Sequence, residues 1–162
     1  MEIINGERLV LGTCYYPEHW DESLWRDDLK RMLENGIEVI RIAEFAWSKI
    51  ERYEGVFNYD FFDRFLDVAA DMGMKVIFCT PTATPPAWLT EKYPEVLNAN
   101  MDGVLYRHGG RRHYNYNSPK YQELTRIIVE KSASHYAKHP AIIGWQIDNE
   151  LNCEKNEFYS ES

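Results

Sequence analysis

Four short, β-branched apolar runs separated by segments of helical periodicity leave this chain few folds to choose from. Leu9 to Cys14 reads LVLGTC, Ile37 to Ala43 reads IEVIRIA, Lys75 to Thr80 reads KVIFCT and Ala141 to Ile147 reads AIIGWQI. Each has the length and composition of a strand and is too short for a stable helix. Between the first two, Asp21 is placed to cap a helix whose apolar residues Leu24, Trp25, Leu29, Met32 and Leu33 recur at helical spacing, and Asn35-Gly36 stops it. A second helix starts near Asn58 or Asp60, carries Phe62, Phe65, Leu66, Ala69 and Met72 on one face, and ends at Gly73. Pro81 to Asn117 has no clean period and reads as an extended loop region, which at that length points to function. Ser118-Pro119 then opens a third helix with Leu124, Ile127 and Ile128 inward, and His139-Pro140 closes it. The resulting βαβαβαβ order implies parallel strands joined by right-handed crossovers.

Two main architectures have that order. An open doubly wound sheet would hold a nucleotide at its switch point. The first strand, however, runs into Tyr15-Tyr16-Pro17-Glu18, with no Gly-rich phosphate loop opening the first helix. Polar and aromatic residues instead cluster just after each strand, where a (β/α)8 barrel places its chemistry. A complete barrel takes roughly 250 residues, and only four strands are legible in 162. The expected fold is therefore the first half of an α/β (β/α)8 TIM barrel, with residues 1–162 forming the N-terminal part of its catalytic domain and no complete second domain. A small, complete four-stranded α/β domain is the bland alternative.

Composition narrows the function classes. The 18 basic and 26 acidic side chains give a net charge of −8, the wrong sign for a protein that tracks a phosphate backbone. No run of 18 apolar residues is present, so no membrane span is expected, and the first ten residues do not read as a signal peptide. Cys14, Cys79 and Cys153 form no CxxC pair and cannot all pair with one another, which suits free thiols in a reducing, cytoplasmic compartment.

The sharpest chemical feature is the end of the fourth strand, Trp145-Gln146-Ile147-Asp148-Asn149-Glu150. Asn-Glu at the C-terminal end of a barrel strand puts an amide and a carboxyl side by side at the mouth. Glycosidic cleavage needs one carboxylic acid to protonate the leaving oxygen and a second carboxylate across the bond. Glu150 suits the acid, kept protonated by an apolar, aromatic surround or by a neighbouring carboxylate. Asn149 suits a hydrogen bond to the sugar hydroxyl beside the anomeric carbon, where such bonds strengthen in the transition state. Alone, the dipeptide could equally be a solvated strand end.

Taken together, Glu18-His19-Trp20 after Tyr15-Tyr16-Pro17, Arg41 to Trp47 (RIAEFAW), Thr84 to Leu89 (TPPAWL), Arg111-Arg112-His113-Tyr114 and Trp145 to Glu150 occur in order over nearly the whole chain. They closely resemble the N-terminal half of the β-galactosidases of glycoside hydrolase family 42. By that resemblance Glu150 matches the acid/base, Asn149 the sugar-binding amide, and Arg111 an arginine that binds the galactose. The arginine fork can hold vicinal hydroxyls; of Arg111 and Arg112 only one is expected to reach the pocket, and Arg111 is the choice. Tyr15, Phe45, Trp47, Trp88, Tyr114 and Trp145 are candidates for a sugar platform, of which two or three are expected to touch substrate and Trp47 is favoured.

Glu44 is expected to orient Arg41 or another loop group rather than serve as the second carboxylate. The resemblance implies a retaining hydrolysis of terminal β-galactosides, with the nucleophile on a seventh strand outside this chain. It implies no cofactor, and it suggests a homotrimer. Where some family members have a zinc-ligating cysteine after Arg-Arg-His-Tyr, this sequence has Asn115, and Cys153 is the lone cysteine after Glu150, so no zinc is expected. His108 and His113 read as hydrogen-bonding loop residues. The 162-residue chain by itself, exposing strand edges and apolar surface, is expected to dimerise or aggregate and to lack turnover. Another retaining barrel glycosidase, acting on β-glucosides or β-mannosides, and a non-catalytic sugar-binding half-barrel are the alternatives.

Overall fold

The computed structural model describes residues 9–151 and 157–161. In chain order its elements are β1 (Leu11–Cys14), α1 (Trp25–Glu34), β2 (Ile37–Ile42), α2 (Trp47–Ile50), β3 (Glu51–Tyr53), β4 (Val56–Phe57), α3 (Asp60–Met72), β5 (Lys75–Cys79), α4 (Ala87–Lys92), α5 (Pro119–Tyr136) and β6 (Ile142–Gln146). They divide into two compact units.

The first unit holds a four-stranded sheet in the order β1-β2-β5-β6, parallel throughout, so its strands lie side by side in sequence order. This is the strand arrangement of one part of a (β/α)8 barrel, as expected from the sequence. Ile40, Ile42, Val76 and Phe78 are fully buried, and α3 contributes Phe62, Phe65, Leu66 and Ala69 at zero exposure. Trp25 of α1 meets Phe61 and Phe65 edge-on, with ring centroids 5.2 Å apart in each case. That geometry aligns the positive ring edge with the negative face. Gly73 ends α3 in the left-handed conformation, φ +77°, and its N–H closes onto the carbonyls of Ala69 and Ala70.

Two local expectations shift. Asp21 does cap, accepting the Ser23 N–H at 2.9 Å, but it opens a 3-10 turn over Glu22–Leu24 that precedes α1. Leu24 therefore lies off the α-helical stripe and is exposed. On α5, Leu124 and Ile128 are buried while Ile127 is exposed; the buried pair are four apart, whereas Ile127 points about 100° away from Ile128.

The second unit comprises Glu44–Asn58, Thr80–His135 and Asp148–Ser162, the segments that follow the strand ends in sequence. The stretch from Pro81 to Asn117 is more ordered than its composition suggests. It contains 3-10 turns at Pro81–Ala83 and Pro94–Val96, the helix α4, and antiparallel bridges Leu97–Tyr114 and Ala99–Leu105. These pieces, like α2 and the β3–β4 hairpin turning at Gly55 (φ +77°), are too short to leave a periodic trace. Among the described residues, no helix is long and apolar enough to cross a membrane.

Candidate active site

Strand β6 ends at Gln146, and after Ile147 the chain continues into Asp148-Asn149-Glu150. Around it, the second unit assembles two arginines with opposite fates. Arg111 forms an ion pair with the Glu150 carboxylate, and its guanidinium carbon lies 5.7 Å from the centre of the Phe45 ring. The Glu150 side chain is half-exposed, at 54%. The acid candidate thus faces accessible space with a cation beside it, not the apolar surround or second carboxylate expected from the sequence, because among the described residues Arg111 is what the chain brings to the carboxyl.

Arg112 turns the other way and is buried at 2% exposure. Its Nη2 donates to the Asn149 carbonyl, its Nε to the Glu150 carbonyl at 3.2 Å, and its Nη1 to the Tyr114 hydroxyl at 2.5 Å. Both Nη atoms also reach Asp148 Oδ1, at 3.2 and 3.3 Å. Asp148 Oδ2 accepts the Thr82 hydroxyl at 2.7 Å, and the Asp148 N–H donates to Thr80 Oγ1 at 2.7 Å. Tyr114 stacks on Tyr121 with centroids 4.7 Å apart. Burial, with the Asp148 charge adding to it and Arg112 opposing, pushes the Tyr114 phenol up to about 12.

The aromatic candidates separate cleanly. Trp47, favoured from sequence as a sugar contact, has no exposed surface. Its indole N–H donates to Glu51 Oε2 at 2.7 Å, while Gly55 N–H donates to Glu51 Oε1 at 2.8 Å. Trp47 in this conformation is packing and not a platform, because α2 turns it inward one residue after the buried Ala46. Tyr114 is likewise fully buried, and Tyr15 is buried with its hydroxyl on Asp28 at 2.8 Å. Phe45, Trp88 and Trp145 keep part of their surface open. Trp88 donates its indole N–H to the Glu51 carbonyl at 3.0 Å. Glu51 thereby ties two tryptophans through one residue; burial raises its carboxyl, and the Gly55 and Trp47 donors pull it back.

Glu44 is fully buried, and Arg41 directs its guanidinium to Gln146 Oε1 at 2.8 Å. Asn115, at the position considered for a zinc ligand, is buried and donates to Ser160 Oγ at 2.8 Å while its Oδ1 accepts the Asn117 N–H. Cys153 lies outside the described residues. His108 shares a hydrogen bond with the Thr90 hydroxyl at 3.0 Å. His113 Nδ1 lies 2.6 Å from the Gly110 carbonyl, which assigns the proton to Nδ1 and leaves the buried Nε2 as an acceptor without a partner.

Burial lowers the His113 pKa below its usual 6.5; His108 adds to that shift and the Gly110 bond opposes it. His113 is neutral in the fold and protonates more readily once unfolded. Its stability contribution is therefore complete above 6.5 and is lost as pH falls below that value, at up to about 1.4 kcal/mol per pH unit. Urea midpoints measured between pH 7.5 and 5.5 should fall for the wild type and flatten for His113→Asn.

A parallel sheet with strands in sequence order is the arrangement of a (β/α)8 barrel, the class of fold on which many glycoside hydrolases are built. Comparison with known proteins identifies the family. The β-galactosidase family profile of glycoside hydrolase family 42 matches residues 14–162. The chain is 43% identical over 145 residues to β-galactosidase Bga of Halorubrum lacusprofundi, covering 90% of this chain and 21% of that protein. It is 46% identical over 144 residues to β-galactosidase BgaA of a Thermus species, covering 89% and 22%. The crystal structure of β-galactosidase from the psychrophilic Marinomonas ef1 superposes with a TM-score of 0.91 at 42% identity, covering 94% of this chain and 24% of that one. The chain belongs to the glycoside hydrolase family 42 β-galactosidases. It spans about a fifth to a quarter of the length of these relatives.

Sequence reasoning passed over Asp148 and Glu51 and gave Arg112 no role. The Arg112–Asp148 pair has a faint trace, two opposite charges each adjacent to a candidate site residue. Glu51 has none, since a glutamate after a four-residue helix looks solvated until the hairpin closes over it.

Proposed function

We propose that residues 1–162 form the N-terminal part of the (β/α)8 catalytic domain of a retaining β-galactosidase. The observation that carries this reading is Glu150 at the end of β6, half-exposed and paired with Arg111. Glu150 protonates the departing glycosidic oxygen, then takes a proton from the water that hydrolyses the galactosyl-enzyme. The nucleophile that forms that intermediate comes from outside these residues, within about 5.5 Å of the Glu150 carboxyl, as retention requires. Asn149 binds the hydroxyl next to the anomeric carbon, and Arg111 binds galactose hydroxyls once substrate displaces part of its pairing with Glu150. Phe45 and Trp88, with surface left open, replace Trp47 as the aromatic faces for the sugar. The edge strands β1 and β6 join the remaining barrel strands. The two-carboxylate mechanism calls for no cofactor. A cytoplasmic homo-oligomer, such as a trimer, is the assembly this reading carries.

The test is to assay the complete protein on nitrophenyl β-galactoside, β-glucoside and β-mannoside, following the product anomer by NMR. Fastest turnover of the galactoside with first formation of β-galactose is expected. A glucoside or mannoside preference would move the protein to another retaining specificity, and first formation of the α-anomer would overturn the mechanism. Binding without hydrolysis of any substrate would favour a sugar-binding role.

A further inference from the structure

The second unit contains a buried device that the chemistry of sugar cleavage does not by itself require. Among the described residues, the non-glycine positions with positive φ are Ala43, Arg112, Asp148 and Glu150. Three of these four meet in one hydrogen-bonded cluster. A non-glycine residue in the left-handed region is disfavoured and persists where its surroundings over-determine it. Here Arg112 and Asp148, with the hydroxyls of Thr80, Thr82 and Tyr114 around them, supply that over-determination.

Arg112 has five N–H donors in a planar fork, and all are engaged. Nε holds the Glu150 carbonyl, Nη2 holds the Asn149 carbonyl and Asp148 Oδ1, and Nη1 holds Asp148 Oδ1 and the Tyr114 hydroxyl. Asp148 is anchored from the far side by the hydroxyls of Thr82 and Thr80 and accepts the Asn149 N–H at 2.6 Å. Tyr121, stacked on Tyr114, donates to the Thr82 carbonyl at 2.6 Å and closes the ring of contacts. The consecutive carbonyls of Asn149 and Glu150 are thus pinned to a guanidinium whose ion pair with Asp148 is nearly dry, with side-chain exposures of 1% and 14%.

We propose that Arg112 is a positioning residue for the acid/base step, working through the backbone of Asn149-Glu150 and with Asp148 as its anchor. This rests on the reading of Glu150 as the acid. Arg111 and Arg112 then divide the work: one contacts the carboxylate, the other sets where that carboxylate is presented. A lysine cannot substitute, because an ammonium is a point charge without the fork that spans two carbonyls and a carboxylate at once. A misplacement of about 1 Å costs on the order of 10²-fold in rate, and for the Glu150 carboxyl it should be felt most where proton donation matters, with a smaller loss shared by both substrates through Asn149.

That last point gives a readout that general destabilisation does not produce. In the complete enzyme, kcat/KM is measured for phenyl β-galactoside, whose leaving group needs a proton, and for 2,4-dinitrophenyl β-galactoside, whose leaving group does not. The variants are Arg112→Met, Arg112→Lys and, as control, Glu150→Gln, each with its thermal midpoint. Arg112→Lys keeps a cation opposite Asp148 and carries the test if Arg112→Met fails to fold. The expected result is a loss of about 100-fold on the phenyl substrate for Arg112→Met and about 10-fold for Arg112→Lys, with less than a third of either loss on the dinitrophenyl substrate. Equal losses on both substrates for the Arg112 variants, with Glu150→Gln still selective for the phenyl substrate, would overturn the positioning role alone. A Glu150→Gln variant that does not discriminate between the substrates would overturn the reading of Glu150 and the proposal with it.

Discussion

Glu150→Gln in the complete enzyme is expected to lower kcat/KM for phenyl β-galactoside by about 10³-fold, the middle of the range for losing a positioned general acid. Glutamine keeps the shape of the side chain and a polar contact for Arg111, so the thermal midpoint should change little. It has no proton to give to the leaving oxygen and no lone pair basic enough to activate water. Both halves of the retaining cycle suffer, which separates this variant from one that only weakens binding. On the dinitrophenyl substrate the first half escapes, so the galactosyl-enzyme accumulates and KM falls with kcat. Added azide, an anionic nucleophile that needs no base, should speed turnover of that substrate and yield β-galactosyl azide. Hydrolysis of the phenyl substrate within tenfold of wild type would remove Glu150 from the acid role.

The second large effect concerns stability. Trp47→Ala should destabilise the folded state by about 4 kcal/mol, within the range for deleting a fully buried large aromatic. Two physical contributions add. The first is the volume of a side chain at zero exposure, packed with its ring 6.2 Å from Tyr121. The second is the loss of the indole donor to Glu51, a buried carboxylate already pushed up by desolvation. Trp47→Phe isolates that second contribution and should cost about 1–2 kcal/mol, the scale of a buried charged acceptor losing one donor. Thermal or urea midpoints give both values. A sugar-contacting Trp47 would behave differently: Trp47→Phe would raise KM for galactoside while leaving the midpoint in place.

The four strands of the parallel sheet and the three longer helices, α1, α3 and α5, were legible because burial leaves a period. Val76 and Phe78 alternate with Lys75 and Ile77 along β5, and Phe62, Phe65, Leu66 and Ala69 repeat at the helical interval along α3. The Asn149-Glu150 pair was legible for a similar reason, since it follows a readable strand directly. What stayed hidden lies between the strands. The helices α2 and α4 and the β3–β4 hairpin are too short to leave a readable period, although Trp88 of α4 reaches back 37 positions to the Glu51 carbonyl.

The sequence alone therefore determined the parallel α/β architecture, the order of its longer elements and the strand end at which Glu150 emerges. All of these follow from local periodicity and chain connectivity. The choice of Arg111 over Arg112 rests on a family resemblance; that Arg112 is buried on Asp148, and that Trp47 packs inward on Glu51, was decided only by tertiary structure. Adjacent residues such as Arg111 and Arg112 carry identical chemistry. Their difference arises from a left-handed backbone at Arg112 and from Asp148, 36 positions further along, supplying the acceptor that makes burial of one guanidinium tolerable.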